Sequence, residues 1–135
     1  MDVSIKVILD SNFLLLPFQF GIDIFECVKD LLCRNVEFIV LPQIVEEVKR
    51  IADGVGDNSR GARLALKLIE EKCTILDLDE VRGLNTDESI LRAAVNLDAV
   101  VATNDRTLRR KLRSKGIPTI FLRERSHLDI DGYIP

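Results

Sequence analysis

The sequence predicts a three-layer α/β/α sandwich with a mainly parallel central sheet. Short apolar runs typical of strands alternate along its 135 residues with segments in which apolar residues recur at helical spacing. This alternation is the pattern of consecutive strand-helix-strand units, which build a parallel sheet. Two of the runs, residues 5–9 and 99–103, are followed closely by Asp10 and Asp105. Since α/β proteins bind ligands beyond the carboxyl ends of their strands, we expect both aspartates at that edge of the sheet.

The first part of the chain is predicted to hold a strand, an apolar connection and a helix. The connection, residues 13–20, contains Pro17 and is apolar enough that we expect it to lie over the core. The helix starts after Asp23, since Asp23 and Glu26 have the spacing of a capping box. Its apolar residues recur at helical intervals and are Ile22, Phe25, Val28 and Leu32.

A second strand over residues 36–41 leads into a helix that opens at Pro42, a residue favoured in the first helical turn. At about 100° per residue, Glu47 falls at the border of the apolar stripe of this helix, whereas Glu46 points to the solvated side. Glu47 is therefore the functional candidate of the two. The stripe consists of Ile44, Val45, Val48, Ile51 and Ala52.

The middle of the chain is predicted to contain a polar loop, a helix, a third strand and an acidic loop. The polar loop covers residues 53–59, and Ser59 is the expected N-cap of the helix that follows it. The third strand covers residues 73–78. The acidic loop then runs to Thr86, which is the expected cap of the next helix.

The helix after this loop carries a charge on its inward face. Asp87 lies on the same stripe as Ile90 and Ala94, where binary patterning predicts a hydrophobic residue. A carboxylate there needs a partner, although an aspartate in a first turn also favours the helix dipole without facing inward. Glu88 faces more outward and is either a supporting acid or a surface residue.

The last part of the chain is predicted to form two more strands around a basic helix. The fourth strand covers residues 99–103, and the helix after it places Leu108 and Leu112 on its inner face. The fifth strand covers residues 117–122. Pro118 near its start favours a position at the edge of the sheet.

Composition excludes several classes of protein. With 47% hydrophobic and 30% charged residues, the sequence is typical of one globular domain over residues 1–135. Its apolar runs are too short for a membrane span and its start lacks a signal peptide, so we expect a cytoplasmic protein without a membrane partner. Three cysteines without a CxxC pair and one histidine argue against a zinc site, a disulfide framework and a Ser/His/Asp triad. We expect structural roles for His127 and the cysteines, with Cys27, Cys33 and Cys73 in the core.

Positive charge is concentrated near the end of the sequence. The net charge is −3, yet residues 106–125 contain eight basic residues and one acid, Glu124. Such asymmetry gives an acidic protein a local basic surface. A solvated helix face is the simplest interpretation, but contact with nucleic-acid phosphates is favoured if a site that acts on phosphate groups lies beside it. The arginines placed for this contact are Arg106, Arg109, Arg110 and Arg113.

Four carboxylates are candidates for one site. Asp10 and Asp105 lie beyond strand ends, while Glu47 and Asp87 lie at the inner borders of helices entered from the same edge. Crowded carboxylates repel each other unless a cation neutralises them. An all-oxygen set without Cys or His selects Mg²⁺ or Mn²⁺ over Zn²⁺. The sequence therefore predicts a magnesium or manganese site, and such an ion binds phosphate oxygens and turns a bound water into a nucleophile.

Short polar residues beside these acids are candidates for supporting roles. Asn12, Thr103 and Asn104, together with Glu88, can orient a metal-bound water or a ligating carboxylate. Capping of turns is an equally good interpretation of Asn12 and Asn104.

Four segments, in the same order, resemble the motifs of PIN-domain ribonucleases. They are residues 7–12 (VILDSN), 45–48 (VEEV), 87–90 (DESI) and 102–108 (ATNDRTL), and they span nearly the entire chain. The resemblance implies a PIN-like fold and a Mg²⁺- or Mn²⁺-dependent endoribonuclease. It also implies the residues that are both metal-binding and catalytic, namely Asp10, Glu47, Asp87 and Asp105.

Two branches of this family compete. Residues 10–19, 106–113 and 121–123 resemble PIN nucleases of small-subunit ribosomal RNA processing, which implies a pre-ribosomal particle as partner. The alternative is VapC, the compact toxin ribonuclease of a toxin–antitoxin pair, which implies an antitoxin protein as partner. A catalytically idle scaffold that binds RNA, and a receiver-type domain that accepts phosphate on an aspartate, are hypotheses of other classes. The apolar residues 13–20 could serve a homodimer or an inhibitor.

Overall fold

A six-stranded sheet forms the centre of the computed structural model, which describes residues 4–134. The strands are β1 (Ile5–Leu9), β2 (Val36–Val40), β3 (Thr74–Ile75), β4 (Val100–Ala102), β5 (Thr119–Arg123) and β6 (His127–Asp131). Their order is β3-β2-β1-β4-β5-β6, and all neighbours are parallel except β5 and β6. The prediction of an α/β fold with a mainly parallel sheet is confirmed.

Helices surround the sheet and close the core. They are α1 (Ser11–Leu14), α2 (Leu16–Phe20), α3 (Ile24–Leu32), α4 (Pro42–Ala52), α5 (Asp57–Lys72), α6 (Thr86–Leu97) and α7 (Arg106–Ser114), with a 3₁₀ turn at Asp79–Val81. The predicted stripes face inward, since Ile44, Val48, Leu108 and Leu112 are fully buried. Burying a side chain of this size stabilises the fold by about 1.5–3 kcal/mol. No helix between residues 4 and 134 is both long and apolar enough to span a membrane.

Two predicted helix caps are wrong by one or three residues. α5 begins at Asp57 with Gly56 as its N-cap, while Ser59 is buried in the first turn and donates its hydroxyl to the Gly56 carbonyl at 2.7 Å. Asn85, not Thr86, caps α6, because its side-chain oxygen accepts the Glu88 amide at 2.9 Å. Asn85 thereby satisfies a free amide in the first turn of α6, whereas Gly56 provides no side-chain hydrogen bond to α5. Asp23 caps α3 as predicted.

The outer strands differ from the prediction. The third strand shortens to β3, because it lies at the edge and pairs only with Ile39 and Val40 of β2. The edge position predicted for the last parallel strand is wrong, since β6 pairs along β5 and Pro118 precedes that strand. The turn from β5 to β6 places Glu124 and Arg125 at positive φ, 54° and 58°. This is the geometry of a tight hairpin built without the usual Asn-Gly signal.

Two predictions of burial hold only in part. The connection over residues 13–20 folds into short helices whose first half is buried, whereas Phe18 and Phe20 are exposed. The placement of Cys33 in the core is wrong, because Cys33 is exposed at the end of α3 with φ 52°. Cys27 and Cys73 are half-buried, and burial raises the pKa of the Cys73 thiol to about 12, which makes it a poor nucleophile.

Candidate active site

The carboxyl ends of β1 and β4 meet where the chain changes direction across the sheet. From β1 the chain builds outward through β2 and β3, and it then returns to add β4 and β5 on the other side of β1. Ligands of open α/β sheets bind in the crevice at such a switch point. Asp10 and Asp105 both lie at this edge, and the Asp10 amide donates to the Ala102 carbonyl at 3.0 Å.

Asp10 is a buried carboxylate, 6% exposed, at the N-cap of α1. Its Oδ1 accepts the Ser11 amide at 2.8 Å, and its Oδ2 accepts the Thr103 hydroxyl at 2.7 Å and the Asn12 amide group at 3.0 Å. Burial raises the pKa of Asp10, and the negative charge of Glu47 raises it further, while these hydrogen bonds lower it. Within residues 4–134, no lysine, arginine or histidine forms a salt bridge with Asp10. Its charge is therefore held by neutral donors alone.

Thr103 connects Asp10 to Asp105. Its hydroxyl donates to Asp10 and accepts the Asp105 backbone amide at 3.1 Å. Asp105 is the N-cap of α7, where its Oδ1 accepts the amides of Thr107 and Leu108 at 2.9 and 3.2 Å. The Asp105 side chain is exposed at the mouth of the crevice. One buried hydroxyl thus fixes the strand ends that carry both aspartates.

Asn12 and Asn104 tie three strand ends together. The Asn12 amide group donates to Asp10, and its carbonyl oxygen accepts the Asn104 backbone amide at 3.0 Å. The Asn104 side-chain oxygen in turn accepts the Leu122 amide of β5 at 2.8 Å. These contacts go beyond the capping of a turn, and they hold Asp10 in one orientation.

Glu47 and Glu46 separate as their helical positions predict. Glu47 is half-buried on α4, which contacts α1, and its charge acts on Asp10. Glu46 is exposed and pairs with Lys49 at 3.7 Å on the outer face of the helix. Glu47 therefore belongs to the surroundings of Asp10 and Glu46 does not.

Asp87 is partly exposed and lies near a basic residue of α7. The Lys111 Nζ atom of α7 lies 4.0 Å from the Asp87 carboxylate, and both side chains are partly exposed. Glu88 is exposed, and its backbone amide donates to the Asn85 side-chain oxygen. Sequence reasoning missed Lys111, because nothing local shows which basic residue of α7 turns toward α6.

The four predicted acids do not all meet at one point. No group of three or more Asp, Glu, His or Cys side chains in the described part of the chain, residues 4–134, is arranged to hold a metal ion. Glu47 acts on Asp10, and Asp105 is linked to Asp10 through one hydroxyl, whereas Asp87 is drawn toward Lys111. The donor chemistry still fits a hard divalent cation, because all four predicted ligands are carboxylates and the buried one forms no salt bridge with a basic residue among residues 4–134. Their assembly around one ion stays a prediction.

The basic helix α7 presents a cavity of about 630 Å³ lined by Arg106, Arg109, Arg110, Arg113 and Asp131. The Arg109 guanidinium lies 3.6 Å from the centre of the Phe121 ring, and the Arg113 Nε lies 3.3 Å from Asp131. Sequence reasoning missed Phe121 and Asp131. The alternation of Leu128 and Ile130 with polar residues is the one signal from which β6, and so Asp131, could have been found.

Comparison with known proteins agrees with this arrangement. Residues 7–125 match the family described as PIN like domain. Ribonuclease VapC4 of Methanocaldococcus jannaschii is 30% identical over 130 residues, which cover 96% of this chain and 98% of the relative. Ribonuclease VapC9 of Archaeoglobus fulgidus is 30% identical over 88 residues, covering 64% of this chain and 62% of the relative.

Solved structures show the same fold at lower identity. The structure of the PIN domain endonuclease Utp24 superimposes with a TM-score of 0.79 at 23% identity, covering 96% of this chain and 92% of that one. A domain of a functionally unknown protein from Methanocaldococcus jannaschii gives a TM-score of 0.64 at 14% identity, covering 98% of this chain and 100% of that one. Together with the match over residues 7–125, these comparisons identify the chain as a member of the PIN-like domain family.

Proposed function

We propose that the protein is an endoribonuclease that uses Mg²⁺ or Mn²⁺ to hydrolyse RNA phosphodiester bonds. The observation that carries this proposal is the buried Asp10 at the switch point of the sheet, with the charge of Glu47 close by and no cationic side chain to neutralise it among residues 4–134. A buried charge without a partner is costly, and a divalent ion would remove that cost. The relative named Ribonuclease VapC4, which aligns over nearly the full length of both chains, supports RNA as the substrate.

The residues divide into those that hold the ion and those that position them. The ligands in this proposal are Asp10, Glu47, Asp87 and Asp105. When bound, such an ion supplies Lewis-acid stabilisation of the phosphate and lowers the pKa of a bound water. Thr103, Asn12 and Asn104 hold Asp10 and the α7 N-terminus in register through the hydrogen bonds described above. Glu88 is a further acid beside Asp87 in the sequence, and the Lys111 Nζ atom lies 4.0 Å from the Asp87 carboxylate.

Asp105 offers a test that separates catalysis from folding. Asn is as good an N-cap as Asp, so Asp105→Asn should change the free energy of unfolding by only about 0.5 kcal/mol, while Asp105→Ala should lose about 1 kcal/mol. Both variants should lose at least about 100-fold in the rate of RNA cleavage, because neither supplies a carboxylate. Thermal unfolding and cleavage of a labelled RNA in Mn²⁺ measure the two effects.

Asp23 is the matched control, since its exposed side chain also caps a helix, through the Glu26 amide at 3.2 Å, and it is not among the residues hydrogen-bonded to Asp10. Asp23→Asn should leave cleavage unchanged. Wild-type cleavage by Asp105→Asn would remove Asp105 from the site.

The cellular role has two candidates. The near full-length alignment with Ribonuclease VapC4 favours a toxin with an antitoxin partner. The resemblance of residues 10–19 to ribosomal RNA-processing nucleases favours a role in the processing of ribosomal RNA. Sequencing of RNA ends after induced expression distinguishes them. A toxin should arrest growth and create new internal ends in mature RNA, whereas a processing enzyme should convert a precursor end and leave growth intact. An idle scaffold that only binds RNA would create no ends.

A further inference from the structure

We propose that the cavity on α7 is a second phosphate site, which binds a backbone phosphate of the same RNA strand at most about four nucleotides from the bond that is cut. This inference rests on the proposed function, because it assigns the cavity to the substrate of that site. The chemistry that the cavity recognises is a phosphate group. Free inorganic phosphate is the competing source, and the experiment below distinguishes the two.

Arg109 is held in place and forms no salt bridge among residues 4–134, although the negative charge of Asp131 acts on it. The Arg109 Cζ atom lies over the Phe121 ring, 3.6 Å from its centre, and Phe121 is itself buried. The Arg109 Nε atom is buried and has no hydrogen-bond partner in the part of the chain that the structure describes. Arg123 lies 5.3 Å from the same ring, but its Nε is occupied by Asp129 at 2.6 Å. Stacking therefore holds the Arg109 guanidinium in one place at the cavity, and its charge is not used in a salt bridge among residues 4–134.

The rest of the cavity adds positive charge. Arg106, Arg110 and Arg113 line it with Arg109, and Asp131 is the single carboxylate among the lining residues. Asp131 pairs with Arg113 at 3.3 Å and orients that guanidinium at the far end of the cavity. Of the described residues, none forms a salt bridge with Arg106 or Arg110. Guanidinium groups bind phosphate through paired, charge-assisted hydrogen bonds, so phosphate is the ligand that this lining suits.

The geometry of α7 sets the distance from the proposed cleavage site. Arg109 follows Asp105 by four residues and Arg113 follows it by eight, which at about 1.5 Å per residue corresponds to roughly 6 and 12 Å along the helix. A stacked nucleotide advances by about 3.4 Å along the helix axis, and neighbouring phosphates lie farther apart than that because the backbone winds around the axis. A phosphate in the cavity therefore belongs to a nucleotide at most about four positions from the cut. The enzyme should require that much RNA on one side of the bond.

The test combines shortened substrates with arginine variants. RNAs with one cleavage site and six nucleotides on each side are trimmed, one side at a time, to a single nucleotide, and kcat/KM is measured for each. We expect trimming on one side alone to lower kcat/KM of the wild type about 10- to 100-fold, the effect of losing one charge-assisted contact. Arg109→Ala should cause the same loss on the long RNA and no further loss on the trimmed one. Arg109→Lys should lose less than Arg109→Ala, since lysine keeps the positive charge but lacks the paired N–H donors of a guanidinium group.

Arg60 is the control, because it is exposed on α5 and pairs with Asp57 at 3.9 Å. Arg60→Ala should behave as the wild type on both RNAs. Equal losses from Arg109→Ala on long and trimmed RNA would overturn the inference. So would inhibition by inorganic phosphate that Arg109→Ala abolishes while RNA length has no effect, since the cavity would then bind a free anion.

Binding without cleavage separates this inference from the proposed function. Asp10→Asn is mixed with the same labelled RNAs in the absence of metal, and fluorescence anisotropy reports the affinity. If the wild type cuts no RNA but affinity still depends on length and on Arg109, the endoribonuclease proposal fails and the phosphate site stands. If the wild type cleaves RNA but neither the affinity nor kcat/KM depends on the RNA length on either side of the cut, the endoribonuclease proposal stands and the phosphate site fails.

Discussion

Asp10→Asn should lower Mn²⁺-dependent RNA cleavage by at least about 1,000-fold, the size of loss seen when a residue central to a catalytic unit is removed. The reason is the position of Asp10 as the buried acid at the crevice, with Thr103 and Asn12 orienting it. Asn keeps the size of the side chain and an oxygen for the Ser11 amide, but it lacks the negative charge that binds a hard cation. Single-turnover cleavage of a labelled RNA measures the effect.

The neighbouring glutamates of α4 provide a matched pair for this prediction. Glu47→Gln should also reduce cleavage strongly, because Glu47 acts on Asp10, whereas Glu46→Gln should not, because Glu46 pairs with Lys49 in solvent. Equal activities of the two glutamine variants would show that the acid on the inner face has no special role. Wild-type activity of Asp10→Asn would refute the catalytic assignment altogether.

Mn²⁺ should stabilise the wild-type protein and have little effect on Asp10→Asn. A ligand that binds only the folded state contributes about 2.7 kcal/mol at 100 times its dissociation constant, which for a protein of this size raises Tm by on the order of 10 °C. Thermal unfolding with increasing Mn²⁺, compared with EDTA, measures this shift. A Tm increase of the same size in both proteins would place the ion elsewhere.

Without metal, the charge of Asp10 should make stability depend on pH in a defined direction. Burial raises the pKa of Asp10 above its ordinary value of 3.8, so loss of its proton costs more in the folded than in the unfolded state. Stability of the wild type should therefore fall as pH rises from 3.8 through the raised pKa, while Asn at this position does not titrate. In EDTA, the Tm of Asp10→Asn minus that of the wild type should increase with pH over this range.

The sequence singles out the candidate acids because each has a local signal. Asp10 and Asp105 closely follow apolar runs, and in a parallel sheet the ends of such runs share an edge. Helical periodicity was sufficient to separate Glu47 from Glu46, since one turn of α4 decides which of them faces the core. These inferences need only the order of the strands and helices along the chain and the spacing at which apolar residues repeat within a helix.

What the sequence left open depends on packing between elements. The pairing of Asp87 with Lys111 depends on how α6 lies against α7, and the stacking of Arg109 on Phe121 depends on how α7 lies against β5. The strand β6 was missed because its hairpin uses Glu124 and not a glycine at positive φ. Whether the four acids draw together is a question of side-chain rotation around an ion, which neither sequence nor helix geometry determines.

The position of Mn²⁺ in a crystal of the protein tests the central claim most directly. Anomalous diffraction at the manganese edge should show a peak about 2.0–2.3 Å from an Asp10 carboxylate oxygen, with Glu47 or Asp105 among its other ligands. A peak bound only by surface acids such as Asp77 and Asp79, or an Asp10 carboxylate with no ion beside it at saturating Mn²⁺, would contradict the account.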